Sequence, residues 1–295
     1  MRQEKVVEKH VEVGGHGLWT RLAGEGQPVV VFVPGGGGIG LDFAPAHAEI
    51  AGHTTALIYD RAGTGQSDDA ELPRTAAVVV DELHELLTIF DLPAPYLLVG
   101  HSLGGVYVQH FAQRHPSEVS GLVLLDPAHE DFDDYMPDHL KIATRHSGTV
   151  EAPEATPELI ALARDQITGY VTDWPEPLRE QVVDLHTRPD RLLTGFYEGL
   201  NLIDVLDELR HGPPRPTLPT TVLTAAGIDP FQAAFTDGPD LRTQIDGTER
   251  LAAALAATGN PGRHHTFPED SHAGLPMRRP DAVVAAITEQ LQILS

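Results

Sequence analysis

The stretch LLVGHSLGGVYVQHF, Leu97 to Phe111, passes from a continuous apolar run through a glycine-rich knot and back into apolar residues. Up to Val99 it reads as a buried strand, and from Leu103 the apolar spacing turns helical, so Ser102 falls at a strand-to-helix joint. Glycines at 100, 104 and 105 permit a turn too sharp for side chains, which lifts a serine hydroxyl to the sheet edge above a helix N-terminus. A G-x-S-x-G in that setting is a nucleophile elbow. A phosphate-binding loop would carry a lysine after the glycines, and none follows Gly105.

Outward from this joint, VVVFV (29–33), TALIY (55–59), YLLVG (96–100), GLVLL (121–125), TTVLT (220–224) and HHTF (264–267) are short apolar runs, as expected of strands covered on both faces. Helical stripes separate them, among them Leu83, Leu86, Leu87 and Phe90, and later Val283, Ile287, Leu291 and Leu294. The alternation predicts an α/β fold with a mostly parallel central sheet and helices on both faces. An antiparallel hairpin, Val6 to Val13 and Leu18 to Leu22, precedes it. Residues 128–218 carry no convincing strand, whereas PELIALARDQI (157–167) and the series Leu192, Phe196, Leu200, Ile203 have helical spacing. The expected organisation is a core of residues 1–127 and 219–295 with a helical cap, or lid, at 128–218. That insertion leaves the carboxyl end of a strand, where open α/β sheets hold ligands.

The chain has 295 residues, with 20 Lys and Arg against 43 Asp and Glu, a formal charge of −23 that repels phosphate backbones and argues against a nucleic-acid partner. No cysteine is present, which excludes disulfides and thiolate chemistry. No apolar run has signal or membrane-spanning length, so the expectation is a cytoplasmic protein whose partner is a small-molecule substrate. The 16 histidines are scattered without a metal-binding spacing, and neither metal nor cofactor is expected. In HEDFDDYMPD the acids Glu130, Asp131, Asp133, Asp134 and Asp138 stand near the expected mouth of the site; they favour a neutral or cationic substrate, or are simply a solvated surface.

A serine hydroxyl needs a base to take its proton and a carboxylate to hold that base. His272, in the polar loop PEDSHAGLPMRRP before the last amphipathic stripe, is the candidate base. His101 adjoins the serine, but neighbouring side chains on an elbow diverge. The developing oxyanion needs donors. VVVFVPGGGGIG supplies bare backbone directly after a buried strand, so Gly36 is the first choice, Gly37 a second, and the Leu103 amide completes the pair.

Together these pieces resemble the α/β-hydrolase fold family, and within it the capped hydrolases of esterase, lactonase and C–C hydrolase type. GHSLGG resembles the elbow, YDRAGTGQS (59–67) the turn after the fourth strand, and DSHAGLP the histidine loop. Where many members have His-Gly before the oxyanion loop, this chain has Pro34-Gly35. The family's order of nucleophile, acid and base implies Asp229, in TTVLTAAGIDPF, as the acid, with Asp126 in LVLLDPAHE as the alternative. The resemblance implies a serine hydrolase cleaving a carboxylic ester, lactone or thioester through an acyl-serine. Relatives that open epoxides or cleave alkyl halides carry an aspartate where Ser102 stands. The alternatives are a non-hydrolytic member of the fold (a cyclase, a haloperoxidase-like or C–C bond cleaving enzyme) and a ligand-binding module without turnover.

Overall fold

The computed structural model describes residues 6–145, 153–228, 233 and 237–294. Its centre is an eight-stranded sheet of β1 (Val7–Val13), β2 (His16–Ala23), β3 (Val29–Val33), β4 (Ala56–Tyr59), β5 (Tyr96–His101), β6 (Val119–Leu125), β7 (Thr220–Ala225) and β8 (Gly262–Phe267), in the order β1-β2-β4-β3-β5-β6-β7-β8. The first two strands form the expected antiparallel hairpin, and β2 also pairs antiparallel with β4. From β4 to β8 every pairing is parallel.

The apolar runs explain this order. All residues of β3, β4, β5 and β7 are buried, because helices cover both faces of the central strands. One face is covered by α2 (Ala76–Ile89) and α3 (Leu103–Arg114), whose Leu83, Leu86, Val106 and Phe111 join Val31 and Leu98 in one core. The other carries α1 (Ala44–Ala51) and the C-terminal helix Pro280–Leu294, with Ile50, Val283 and Ile287 packed against Val30, Phe32 and Val99. The edge strand β8 departs from the expectation of two covered faces: none of its six residues is buried.

Between β6 and β7 the described residues form helices and no strand: α4 (Ile142–Arg145), α5 (Pro157–Tyr170), α6 (Leu178–His186), α7 (Thr194–Glu198) and α8 (Leu202–His211), with short 3₁₀ turns before them. The stripe Leu192, Phe196, Leu200, Ile203 is not one helix, since the chain breaks at Gly199–Asn201 and leaves Leu200 and Ile203 exposed. Among the described residues α9 (Gly238–Ala256) follows β7 and α10 (Leu275–Arg278) follows β8, which makes the C-terminal helix α11 (Pro280–Leu294). No helix among the described residues is long and apolar enough to cross a membrane.

Candidate active site

Ser102 sits between β5 and α3 with φ 51° and ψ −119°, a backbone conformation that L-residues rarely adopt. The bend persists because its surroundings leave no alternative. Ser102 N donates to Leu125 O at 2.9 Å, and Ser102 O accepts from Gly105 N at 2.9 Å and from Ala128 N at 3.1 Å. Close approach explains the glycines: a Cβ at Gly104 would lie 2.2 Å from Val33 O, and one at Gly100 would lie 2.6 Å from Gly104 O. The first amide of α3, that of Leu103, begins the helix and has no carbonyl four residues back to serve.

His272 Nε2 lies 3.0 Å from Ser102 Oγ, and His272 Nδ1 lies 2.7 Å from Asp126 Oδ2. Among the described residues, the carboxylate that meets the imidazole is that of Asp126, the alternative named from the sequence. The preferred acid, Asp229, lies outside the described residues. Sheet geometry accounts for the Asp126 contact. Asp126 leaves the end of β6 with φ 43° and its N–H on Leu223 O at 2.7 Å, so the bend turns its side chain toward the histidine loop instead of along the chain's exit past Pro127.

That loop is held from several sides. Gly227 N donates to Asp270 O at 2.9 Å, Ser271 Oγ lies 3.3 Å from Tyr170 Oη, and Arg278 and Arg279 both approach the Asp270 carboxylate. His101 does not reach the nucleophile, in keeping with the divergence expected at the elbow. Its Nε2 instead lies 3.0 Å from the His272 carbonyl oxygen and, as the donor there, carries the ring proton. Burial, and then the neighbouring His272, push its pKa down to about 3, so it stays neutral and fixes the loop.

The glycine loop runs beside the serine: a Cβ at Gly35 would lie 3.2 Å from Ser102 Cβ, and one at Gly36 would lie 3.7 Å from Leu103 Cδ2. Gly37 is a correction to the expected donor set. Its N–H donates to Glu198 Oε2 at 2.7 Å and is committed there, which leaves Gly36 and Leu103. Sequence reasoning missed the group that holds this loop. Arg61 Nη1 donates to Pro34 O at 2.6 Å and Nη2 to Gly35 O at 2.7 Å, while Nε and Nη2 engage the two Glu198 oxygens at 3.0 and 2.9 Å. The only sequence signal was Arg61 itself, within YDRAGTGQS.

A cavity of about 260 Å³ opens at Ser102 and His272. Its apolar walls include Phe132, Ile142 and Leu202 from the insertion and Leu241 and Ile245 from α9, with Gln244, Thr248 and His129 adding polarity. No lysine or arginine lines it among the described residues. Burial, then Arg215 and Arg210, press His129 down to about 3. Of the five acids in HEDFDDYMPD, Glu130 is buried against Arg215, Asp131 Oδ2 lies 3.8 Å from His129 Nδ1, Asp133 accepts the Ile142 and Ala143 amides, and Asp138 pairs with Lys141.

Among the described residues, two side-chain groups place ligand atoms close enough to hold an ion, His84, His115 and Glu118, and His129, Glu130 and Asp131. In the first, the two imidazoles stack within 5° of parallel, so their in-plane lone pairs do not converge. In the second, Arg215 already supplies the positive charge.

Relatives share this frame. The Bacillus subtilis protein YqjL is 36% identical over 123 residues, 41% of this chain and 49% of its own. A putative carbamate hydrolase, RutD, of Cronobacter sakazakii is 34% identical over 103 residues, 34% of this chain and 38% of its own. The matches thus span less than half the length of these curated relatives. Among solved structures, an enol-lactonase from Burkholderia xenovorans superposes with a TM-score of 0.65 at 21% identity, covering 96% of this chain and 99% of that one. A laboratory-evolved potato epoxide hydrolase gives 0.70 at 15% identity, covering 98% and 99%. At such identities the likeness is one of fold. The model of one family, described as the alpha/beta hydrolase family, matches residues 30–286, from β3 into the last helix, and with that match over most of its length the chain belongs to the alpha/beta hydrolase family.

Proposed function

We propose that this chain is a serine hydrolase that cleaves a small, uncharged carboxylic ester, lactone or thioester through an acyl-Ser102 intermediate. The observation that carries the reading is the continuous chain from Ser102 Oγ to His272 Nε2 and from His272 Nδ1 to Asp126 Oδ2, at 3.0 and 2.7 Å, beside a cavity. In this mechanism Ser102 Oγ attacks the carbonyl carbon while its proton passes to His272 Nε2. Asp126 keeps the imidazole in the required tautomer and stabilises its positive charge. The carbonyl π pair moves to oxygen, where the Gly36 and Leu103 amides receive it. Collapse expels the leaving group, which takes the proton from His272. A water deprotonated by the same ring then releases the acid. A serine at the elbow favours this acyl transfer over epoxide opening, and residues 128–218 act as the lid through Phe132, Ile142 and Leu202. A fluorophosphonate probe is expected to label Ser102, located by peptide mass mapping; folded protein left unlabelled there would overturn the reading.

The cavity lies below the roughly 300–1,000 Å³ typical of drug-sized ligand sites and, among the described residues, offers no cationic side chain. With a formal charge of −23 overall, the protein gives a polyanionic leaving group no favourable approach. Matched acyl groups are therefore expected to turn over faster as neutral short-chain aryl esters than as coenzyme A thioesters, with kcat/KM in a paired assay as the check. The opposite order would point to a phosphate-binding surface and sink the neutral-substrate reading.

A further inference from the structure

Glu198 is carried by α7 in the insertion, yet it is buried to 3% exposure against Arg61 at 1%. Its two oxygens grip the guanidinium in a fork, and one of them also accepts the Gly37 amide. Arg61 also donates to the carbonyls of Pro34 and Gly35. One ion pair thus fixes the backbone at 34, 35 and 37, the residues on either side of Gly36. The opposite side is closed by the same helix: a Cβ at Gly37 would lie 2.8 Å from Gly195 N, and one at Gly36 would lie 3.8 Å from Gly195 O. Stripping water from two charges is costly, and apolar side chains of similar size would fill the volume at no such cost, so packing alone does not account for the pair. What apolar side chains cannot do is hold two carbonyls and one amide in fixed directions.

We propose that Glu198 is a positioning residue that presents the Gly36 N–H to the oxyanion, so that the donor is in place only while the insertion is docked. This rests on the acyl-serine reading. In the step concerned, a bond forms between Ser102 Oγ and the carbonyl carbon, the serine proton moves to His272 Nε2, and the π pair becomes the oxyanion that Gly36 receives. An alkyl trifluoromethyl ketone forms the same tetrahedral adduct reversibly, with no leaving group, and so reports on the oxyanion site separately from turnover.

The test compares wild type with Glu198→Gln and Glu198→Asp, and with the double variant Arg61→Met, Glu198→Met. The assays are 4-nitrophenyl ester hydrolysis, trifluoromethyl ketone affinity and thermal unfolding. Losing one oxyanion donor costs roughly 10²–10³-fold in kcat. Glu198→Gln is expected to lose about 10²-fold in kcat with KM within about threefold, to weaken ketone binding in parallel, and to regain part of both in Glu198→Asp. The double variant, if folded, is expected to be as slow as Glu198→Gln. A kcat within threefold of wild type in either folded variant, or a slow variant that binds the ketone normally, overturns the proposal. If neither variant folds, the pair is a folding element and the proposal falls. Failure of the acyl-serine reading is separate, because it would show as wild-type protein that the fluorophosphonate leaves unlabelled.

Discussion

Asp126→Asn is expected to lower ester turnover by roughly 10⁴-fold, as loss of the orienting carboxylate does in the serine-protease example, while the protein still melts cooperatively. The reason lies in the tautomer. Ser102 can pass its proton to His272 Nε2 only if that nitrogen is bare and Nδ1 carries hydrogen, and the Asp126 oxygen 2.7 Å away selects that state. An asparagine that turns its NH₂ toward the ring makes Nδ1 the acceptor and places hydrogen on Nε2, facing the nucleophile. An asparagine that turns its oxygen there keeps the tautomer but cannot balance the charge of the imidazolium. Asp229→Asn is the control and is expected to stay near the wild-type rate. Steady-state kinetics of both variants at pH 7, with circular dichroism melts, make the comparison. A near-normal Asp126→Asn beside a folded and inactive Asp229→Asn would hand the acid's role to Asp229.

The second large effect concerns acid. Burial holds His47 neutral with its pKa pushed down to about 4, and burial likewise presses His101 and His129 down to about 3. In the unfolded chain each titrates near 6.5. A histidine depressed in the folded state contributes stability that is complete above the unfolded value and is lost as pH falls toward the folded one. Asp60 works the other way. Burial pushes it up to about 6, so between pH 6 and 4 the folded state takes a proton before the unfolded state does and gains stability. His186, raised by its pairing with Asp42 against the opposing effect of burial, is protonated in both states below about 6.5 and adds no slope in that window.

Over His47, His101, His129 and Asp60 the balance is an uptake of about two protons on unfolding, or roughly 2.7 kcal/mol lost per pH unit between pH 6 and 4. Against a total of about 5–15 kcal/mol for a typical domain, much of the stability is expected to be gone by pH 4. Urea melts at about 0.15 M salt, where repulsion among the surface charges is screened beyond about 8 Å, are the measurement. A free energy of unfolding that is flat or rises from pH 6 to pH 4 would refute the assignment of these buried rings as neutral.

Much of this molecule was legible from spacing. Gly100 and Gly104 announce the elbow around Ser102 because a side chain at either would run into backbone, and β3 to β7 show as apolar runs because both of their faces are covered. His272 was found because a lone histidine on a polar loop near the carboxyl edge has few other uses. The acid was harder. In the sequence Asp126 and Asp229 come shortly after β6 and β7, adjacent parallel strands with Leu125 opposite Leu223, and sequence separation cannot say which one turns toward the histidine. The backbone bend that turns Asp126 toward the ring is a tertiary property. Glu198 was hidden for a different reason: a charged residue between apolar ones in a helical stripe is assigned to solvent, and nothing local shows that its partner lies 137 positions earlier in the chain.

That distant pairing bears on how such a chain can be rebuilt. Lids are attractive units for grafting, because exchanging them promises a new pocket on an unchanged catalytic frame. Here a transplanted segment between β6 and β7 lacking an acid at the position of Glu198 would leave the Arg61 guanidinium buried without its counter-charge and the Gly37 amide without its acceptor. The recipient frame would then carry a fault of its own, one that no choice of substrate could compensate. Chimeras in this fold would have to exchange the arginine and the acid as a matched set.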